Sequence, residues 1–364
     1  MLPRCTAWLA LFLSASTTLA QTSTLCNPTE KTCPADTGLS SSTYTHDFTT
    51  SGADDDAWNI TAGNVKYTSS GAEFTINKSG DHPTIQSKWY IFFGRVSFFL
   101  KAAPGTGIVS SAILESDDLD EVDWEWLGGS DYVSKVQTNY FGKGNTTSYD
   151  RAAWSAVSDT QSTTHNYTIA WTSAATTWLI DGVAIRTLNY ADAVAGKNYP
   201  QTPMNIRIGI WAGGDSSNNE GTIEWAGGAT NYADGPFTMY LEKVEVVNEN
   251  PGGSYEYGDL TGDFSSIKVN GKDASSSSSS SALSGSEGST GAGSESASES
   301  ASESKSATAT VKAVASGTQT GMWWTASASA SAALKQAAVS PALKLSVQGW
   351  QYVACGALVL LAVM

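Results

Sequence analysis

The chain has 364 residues, with 20 Lys+Arg against 35 Asp+Glu, a formal net charge of -15, 34 Gly and 13 Trp, and only 15% charged residues. An acidic excess repels phosphate backbones, so no nucleic-acid partner is expected. Sparse charge with abundant Gly and Trp also excludes a coiled coil or helical bundle.

Residues 1–20 open with Arg4, run through Ala7-Trp8-Leu9-Ala10-Leu11-Phe12-Leu13, and place Thr18 and Ala20 where a signal peptidase reads small residues. A secretory signal cleaved after Ala20 is expected, because the apolar run is too short to span a bilayer. Cys5 would leave with it and Cys355 with the C-terminal tail, which leaves Cys26 and Cys33 to pair. Closing that short loop gains about 2.5 kcal/mol on the chain-entropy model, enough to pin an N-terminal segment. Two cysteines and the dispersed His46, His82 and His165 make no metal site, and neither a metal nor a cofactor is expected. Sequons at Asn59, Asn77, Asn145 and Asn166 offer N-glycosylation sites in the secretory pathway.

Between residues 21 and 270 the apolar period is two, in short runs broken by Gly, Asn, Asp and Pro. This pattern predicts an all-β domain, with candidate strands at Val96–Lys101, Lys135–Phe141, Tyr167–Thr172, Asn205–Trp211 and Phe237–Val247. Asp181-Gly182 between Trp178-Leu179-Ile180 and Val183-Ala184-Ile185 predicts a tight hairpin, since both residues accept positive φ. So many antiparallel strands point to a two-sheet sandwich, a jelly roll.

The segment Glu121-Val122-Asp123-Trp124-Glu125-Trp126 sets carboxylates at i, i+2 and i+4. On a strand they share one face, while Val122, Trp124 and Trp126 share the other. A solvated surface strand would intersperse Lys or Arg, and none occurs here, so three like charges repel one another. Neighbours about 6–7 Å apart cannot all ionise cheaply, and at least one should keep its proton above its usual pKa and serve as a general acid. Long side chains leaning inward bring Glu121 and Glu125 towards the roughly 5–5.5 Å separation of a retaining glycosidase.

Downstream, Ile206, Ile208 and Ile210 share one face of their strand, leaving Asn205, Arg207, Gly209 and Trp211 on the other. Trp211 suits stacking on a pyranose ring, and Arg207 suits hydrogen bonding to its hydroxyl or N-acetyl oxygens. Read as a strand, the next segment puts Thr222 and Glu224 together, opposite Ile223 and Trp225. Gln137 and Asn139 alternate with Val136 and Thr138 and are candidates for the cleft, either against the sugar or just behind it. Trp124, Trp126, Trp171 and Trp178 are expected in the core.

Residues 271–333 turn to Ser, Ala, Gly and Thr, with a Ser-Glu-Ser-Ala repeat that cannot bury enough apolar area to fold. They are expected to form a disordered stalk. Within residues 334–364, small residues and a polar spacer precede an uncharged apolar tail from Trp350 to Met364, the pattern of a glycosylphosphatidylinositol attachment signal removed on maturation.

The stretch Glu121-Val122-Asp123-Trp124-Glu125 resembles the Glu-x-Asp-x-Glu signature of glycoside hydrolase family 16, concanavalin-like jelly rolls that cleave β-glycans with retention. The resemblance implies Glu121 as nucleophile, Asp123 as assisting carboxylate and Glu125 as acid/base. The wider chain is similar to the fungal Crh-type branch, wall-anchored chitin-glucan transglycosylases. Gln137-Thr138-Asn139-Tyr140-Phe141-Gly142-Lys143-Gly144, Ile208-Gly209-Ile210-Trp211-Ala212-Gly213-Gly214-Asp215 and Gly221-Thr222-Ile223-Glu224-Trp225-Ala226-Gly227-Gly228 carry that likeness. It implies Arg207, Trp211 and Thr222 as sugar contacts, chitin and β-glucan as partners, and a secreted monomer tied to membrane or wall by its lipid anchor. The chain shows no cysteine-rich chitin-binding module, so the cleft alone is expected to hold chitin. Two rivals stand beside this reading: an endo-β-glucanase with the same carboxylates, and a non-catalytic wall lectin, for which repelling carboxylates would serve no purpose.

Overall fold

The computed structural model describes residues 24–148 and 150–271. The expected signal segment, stalk and attachment signal lie outside the described residues, as do Cys5 and Cys355. Among the described residues no helix is long and apolar enough to cross a membrane.

Two antiparallel sheets make the sandwich. The first has seven strands in the order Ala153–Ala156, Lys135–Phe141, Glu121–Leu127, Ile108–Ser116, Met204–Ala212, Thr84–Ser87 and Trp58–Ala62. The second is built around the long strand Phe237–Asn248, which pairs with Gly94–Lys101, Gly71–Ile76 and Thr43–Asp47. A small third sheet joins Asp36–Thr37, Ser254–Tyr257 and Ile267–Asn270. The expected jelly roll is therefore present, and each candidate strand is found within a few residues of its expected ends.

Local chemistry explains these elements. The Asp181-Gly182 turn has φ of 49° and 82°, as a tight hairpin requires, and it pairs Ile180 with Val183. Cys26 and Cys33 are bonded, with Cα atoms 5.8 Å apart. The core lies between the large sheets, where Trp124, Trp126, Trp171, Trp178 and Tyr167 are fully buried. Trp124 and Trp126 stack at 6.1 Å, and Tyr167 meets them edge-on at 5.4 and 4.6 Å. Aromatic pairs in such offset and edge arrangements add about 0.5–1.5 kcal/mol each beyond the area they bury.

Two neighbouring strands of the second sheet approach closely where Gly94 opens its strand at φ 133°, and a Cβ there would sit 2.0 Å from the Val247 carbonyl oxygen. Gly80 also has positive φ, at 84°, but faces open space. Gly94→Ala is expected to cost on the order of 3 kcal/mol or more, against about 1–2 kcal/mol for Gly80→Ala, which pays only for its backbone conformation. Urea unfolding midpoints of the two variants check this; equal losses would contradict it.

Candidate active site

The strand Glu121–Leu127 lies inside its sheet, with two strands on one side and four on the other. Val122, Trp124 and Trp126 are fully buried towards the core. The pleat therefore sends Glu121, Asp123 and Glu125 together to the opposite face of the sheet. Glu121 is 8% exposed, Asp123 is 2% exposed, and Glu125 is half-buried.

Several contacts fix this strand. The indole N–H of Trp178 reaches across the core and donates to the Asp123 carbonyl at 3.1 Å. At the strand's start, Asp120 Oδ2 accepts from the backbone N–H groups of Gln201 at 2.7 Å and Thr202 at 3.1 Å, and from the Thr202 hydroxyl at 2.9 Å. Its other oxygen accepts from the Lys143 backbone at 2.9 Å, with the Lys143 ammonium 3.6 Å away. Asp120 thus anchors the acidic strand from below rather than joining the three carboxylates.

Sheet register shows what surrounds each carboxylate. Glu125 pairs with Gln137 on one side and Ser111 on the other; Asp123 pairs with Asn139 and Ile113; Glu121 pairs with Phe141 and Glu115. Gln137 and Asn139 are thus on the acidic face. Glu115 is fully buried and forms an ion pair with Arg207, Nη1 to Oε2 2.5 Å.

An open trench of about 300 Å³ crosses the strands on this face, starting at Ser111 and passing over Arg207, Gly209 and Trp211 to Thr84, Gln86, Thr61 and Ala62. The segments Gly80 to His82 and Asp215 to Asn218 complete its lining. Asn218 holds its segment by donating to the carbonyls of Ala212 at 2.9 Å and Gly213 at 3.0 Å. Arg207 and Trp211 line the trench, and one arm of Arg207 is already committed to Glu115.

One segment departs from expectation. Residues Glu220–Trp225 form a short α-helix, not a strand, so Thr222 and Glu224 do not share a face. Asn219 caps it, its Oδ1 accepting from the Thr222 backbone N–H at 2.9 Å and hydroxyl at 3.1 Å. Thr222 is therefore occupied at the cap, Glu224 is exposed, and neither lines the trench. Trp225, expected to face away from the ligand, instead stacks on Trp211 at 6.1 Å and donates its N–H to Gln137 Oε1 at 3.3 Å. Both indoles rest on a small apolar cluster of Val109, Leu127 and Ala226.

Sequence reasoning missed Trp225 and Glu115. An Asn three residues before Thr222 was the available helix signal, and a lone acid in the apolar run Ile108-Val109-Ser110-Ser111-Ala112-Ile113-Leu114-Glu115 was the other.

Burial, and then the Asp123 charge, raise the Glu121 carboxyl well above its ordinary range, with Glu115 and Glu125 adding to the effect. Burial and the Asp123 charge push Glu125 up to about 8. Burial raises Asp123 to about 6, against opposing help from a hydrogen bond with Glu121 and the Arg186 charge. Burial and mutual repulsion thus both work against ionising all three carboxyls together.

Residues 52–227 match the family described as Glycosyl hydrolases family 16. Crh-like protein 5 of Aspergillus fumigatus is 58% identical over 259 residues, which cover 71% of this chain and 65% of that protein. Crh-like protein 1 of the same organism is 54% identical over 268 residues, covering 74% of this chain and 72% of that one. A solved structure described as Crh5 transglycosylase in complex with NAG is 57% identical with a TM-score of 0.65, covering 67% of this chain and 100% of that chain. Likeness of this extent goes far beyond one short acidic motif, and the chain belongs to glycosyl hydrolase family 16, among its Crh-like proteins.

Proposed function

We propose that the protein is a retaining transglycosylase that cuts chitin, a β-1,4-linked N-acetylglucosamine chain, and passes the cut end to a β-glucan or chitin acceptor in the fungal cell wall. Hydrolysis of some chitin oligomers accompanies transfer. The observation that carries this reading is the placement of Glu121, Asp123 and Glu125 on one face of a central strand beside an aromatic-lined trench. The likeness to a transglycosylase solved with NAG supports the choice of reaction and sugar.

In the resting site, one proton is shared between Glu121 and Asp123 and another sits on Glu125. The side-chain hydrogen bond between Glu121 and Asp123 supports that sharing. When that proton settles on Asp123, Glu121 is ionised and attacks the anomeric carbon, while Glu125 gives its proton to the departing glycosidic oxygen. The bond to that oxygen breaks as the bond to Glu121 forms. Glu125, now a carboxylate, takes the proton of an acceptor hydroxyl, whose oxygen displaces Glu121 with a second inversion. Arg207, tied to buried Glu115, lines the trench where sugar hydroxyls lie.

On this reading a signal at residues 1–20 sends residues 21–270 out of the cell. Residues 271–333 then act as a stalk to a lipid anchor added when residues 334–364 are removed. Labelling with an anchor precursor and release by a phospholipase would test that processing.

Glu125→Gln is expected to lower transfer by on the order of 10²–10⁴-fold, the usual worth of a general acid. Glu121→Gln should abolish the covalent intermediate. Sizing the products of chitin oligomers, with and without glucan oligomers, reads both: products longer than the input mean transfer. Full activity in either variant would end the catalytic assignment, and activity on glucan donors alone would make the protein a glucanase.

Titration gives a second expectation. Between the ordinary 4.5 and about 8, the folded protein holds the Glu125 proton while the unfolded chain has lost it. Stability contributed by that proton is present below 4.5 and is lost as pH rises through about 8. Glu125→Gln should therefore show a smaller fall in urea midpoint across this window than the parent. Transfer by the parent should decline on the alkaline side as Glu125 ionises. Parallel stability curves for parent and variant would contradict the assigned titration.

A further inference from the structure

The four sequons occupy different places in the fold. Asn166 is on His165–Trp171, in the sheet away from the trench, and Asn145 is in the loop following Lys135–Phe141. Asn59 is on the trench-bearing sheet itself, in its edge strand Trp58–Ala62. Its neighbour Trp58 is 4% exposed and packs in the core, so the pleat turns Asn59 to the trench side, where it is exposed. Register places it in line with the site: Asn59 pairs with Gln86, and Gln86 pairs with Arg207. Gln86 and Arg207 both line the trench, as do Thr61 and Ala62 further along the same edge strand. Asn77 lies nearby in sequence on the loop that supplies Gly80, Asp81 and His82 to the lining, and its backbone N–H donates to Asp81 at 2.9 Å.

Four strand spacings separate the acidic strand from this edge, ~19 Å at the usual interval. A polysaccharide running across the strands from Glu125 over Arg207 therefore has room for a few sugars before it reaches the strand that carries Asn59. Beyond that strand the sheet ends, and nothing in the sheet itself stops a longer chain.

We infer that an N-linked glycan on Asn59 caps the Arg207 end of the trench and limits the length of polysaccharide held there. In the modification, the Asn59 Nδ2 loses a proton and bonds the anomeric carbon of an oligosaccharide carried on a lipid diphosphate, and the lipid diphosphate leaves. The bulky, hydrated product stands at the mouth of the trench. Short oligomers held between Asn59 and the acidic strand are unaffected, whereas longer ones must bend away or displace it. The inference rests on the proposed chitin-binding reading.

The test uses protein secreted from a eukaryotic host, with Glu121→Gln present throughout so that no turnover intervenes. Peptide mass analysis is expected to find a glycan on Asn59. By calorimetry, a chitin tetramer should bind equally to this background, to Asn59→Gln and to Asn166→Gln. A chitin octamer should bind about fivefold or more tightly to Asn59→Gln and unchanged to Asn166→Gln. Trimming the folded glycoprotein to one sugar with an endoglycosidase should reproduce the gain without any substitution. An unmodified Asn59, or equal octamer binding before and after trimming, overturns the cap alone. If neither oligomer binds any form, the chitin reading fails and the cap with it.

Discussion

The site depends on one constraint, the two-residue period of a single strand wedged between a dry core and an open face. Val122, Trp124 and Trp126 are too large and apolar to lie anywhere but inside, and their burial leaves Glu121, Asp123 and Glu125 no choice of side. Three acids that would repel and drift apart in water are held together by the hydrophobic gain of residues that never touch substrate. Slipping the strand by one residue would bury the acids and expose two tryptophans, so the register resists change.

Crowding is what gives these acids their chemistry. Burial raises all three carboxyls, and their proximity means that one ionisation works against the next. The surrounding cations and hydrogen bonds then sort the protons. Arg186 and the hydrogen bond to Glu121 favour charge on Asp123, while Glu115, paired with Arg207, still helps to keep the proton on Glu121. Asp120, although adjacent in sequence, is held by Gln201, Thr202 and Lys143, and spends its charge on fixing the strand's entry.

The trench is asymmetric about the acidic strand. On one side four strands provide Ser111, Arg207 and Trp211 and run out to an edge carrying a sequon. On the other, only two strands follow, and the short helix Glu220–Trp225 packs over the sheet so that Trp225 stacks on Trp211 and bonds Gln137. The two indoles thus join the halves of the cleft over the apolar cluster of Val109, Leu127 and Ala226.

Sequence alone determined whatever is governed by neighbours within a few residues. The alternation in Glu121–Leu127 decided which side chains face together, Asp181-Gly182 decided a turn through its positive φ, and the isoleucines of Met204–Ala212 put Arg207 and Trp211 opposite the core. Residues 220–225 were misread because six residues satisfy a period of two and a helical turn about equally, and only the Asn219 cap and packing against the sheet decide between them. Pairings across the sheet were beyond any local rule. That Glu115 meets Arg207, that Asp120 is claimed by a segment eighty residues away, and that Asn59 lines up with Gln86 and Arg207 all follow from strand order. Strand order is set when the whole chain closes its two sheets over one core, since a hydrogen-bonded neighbour in a sheet need not be near in sequence.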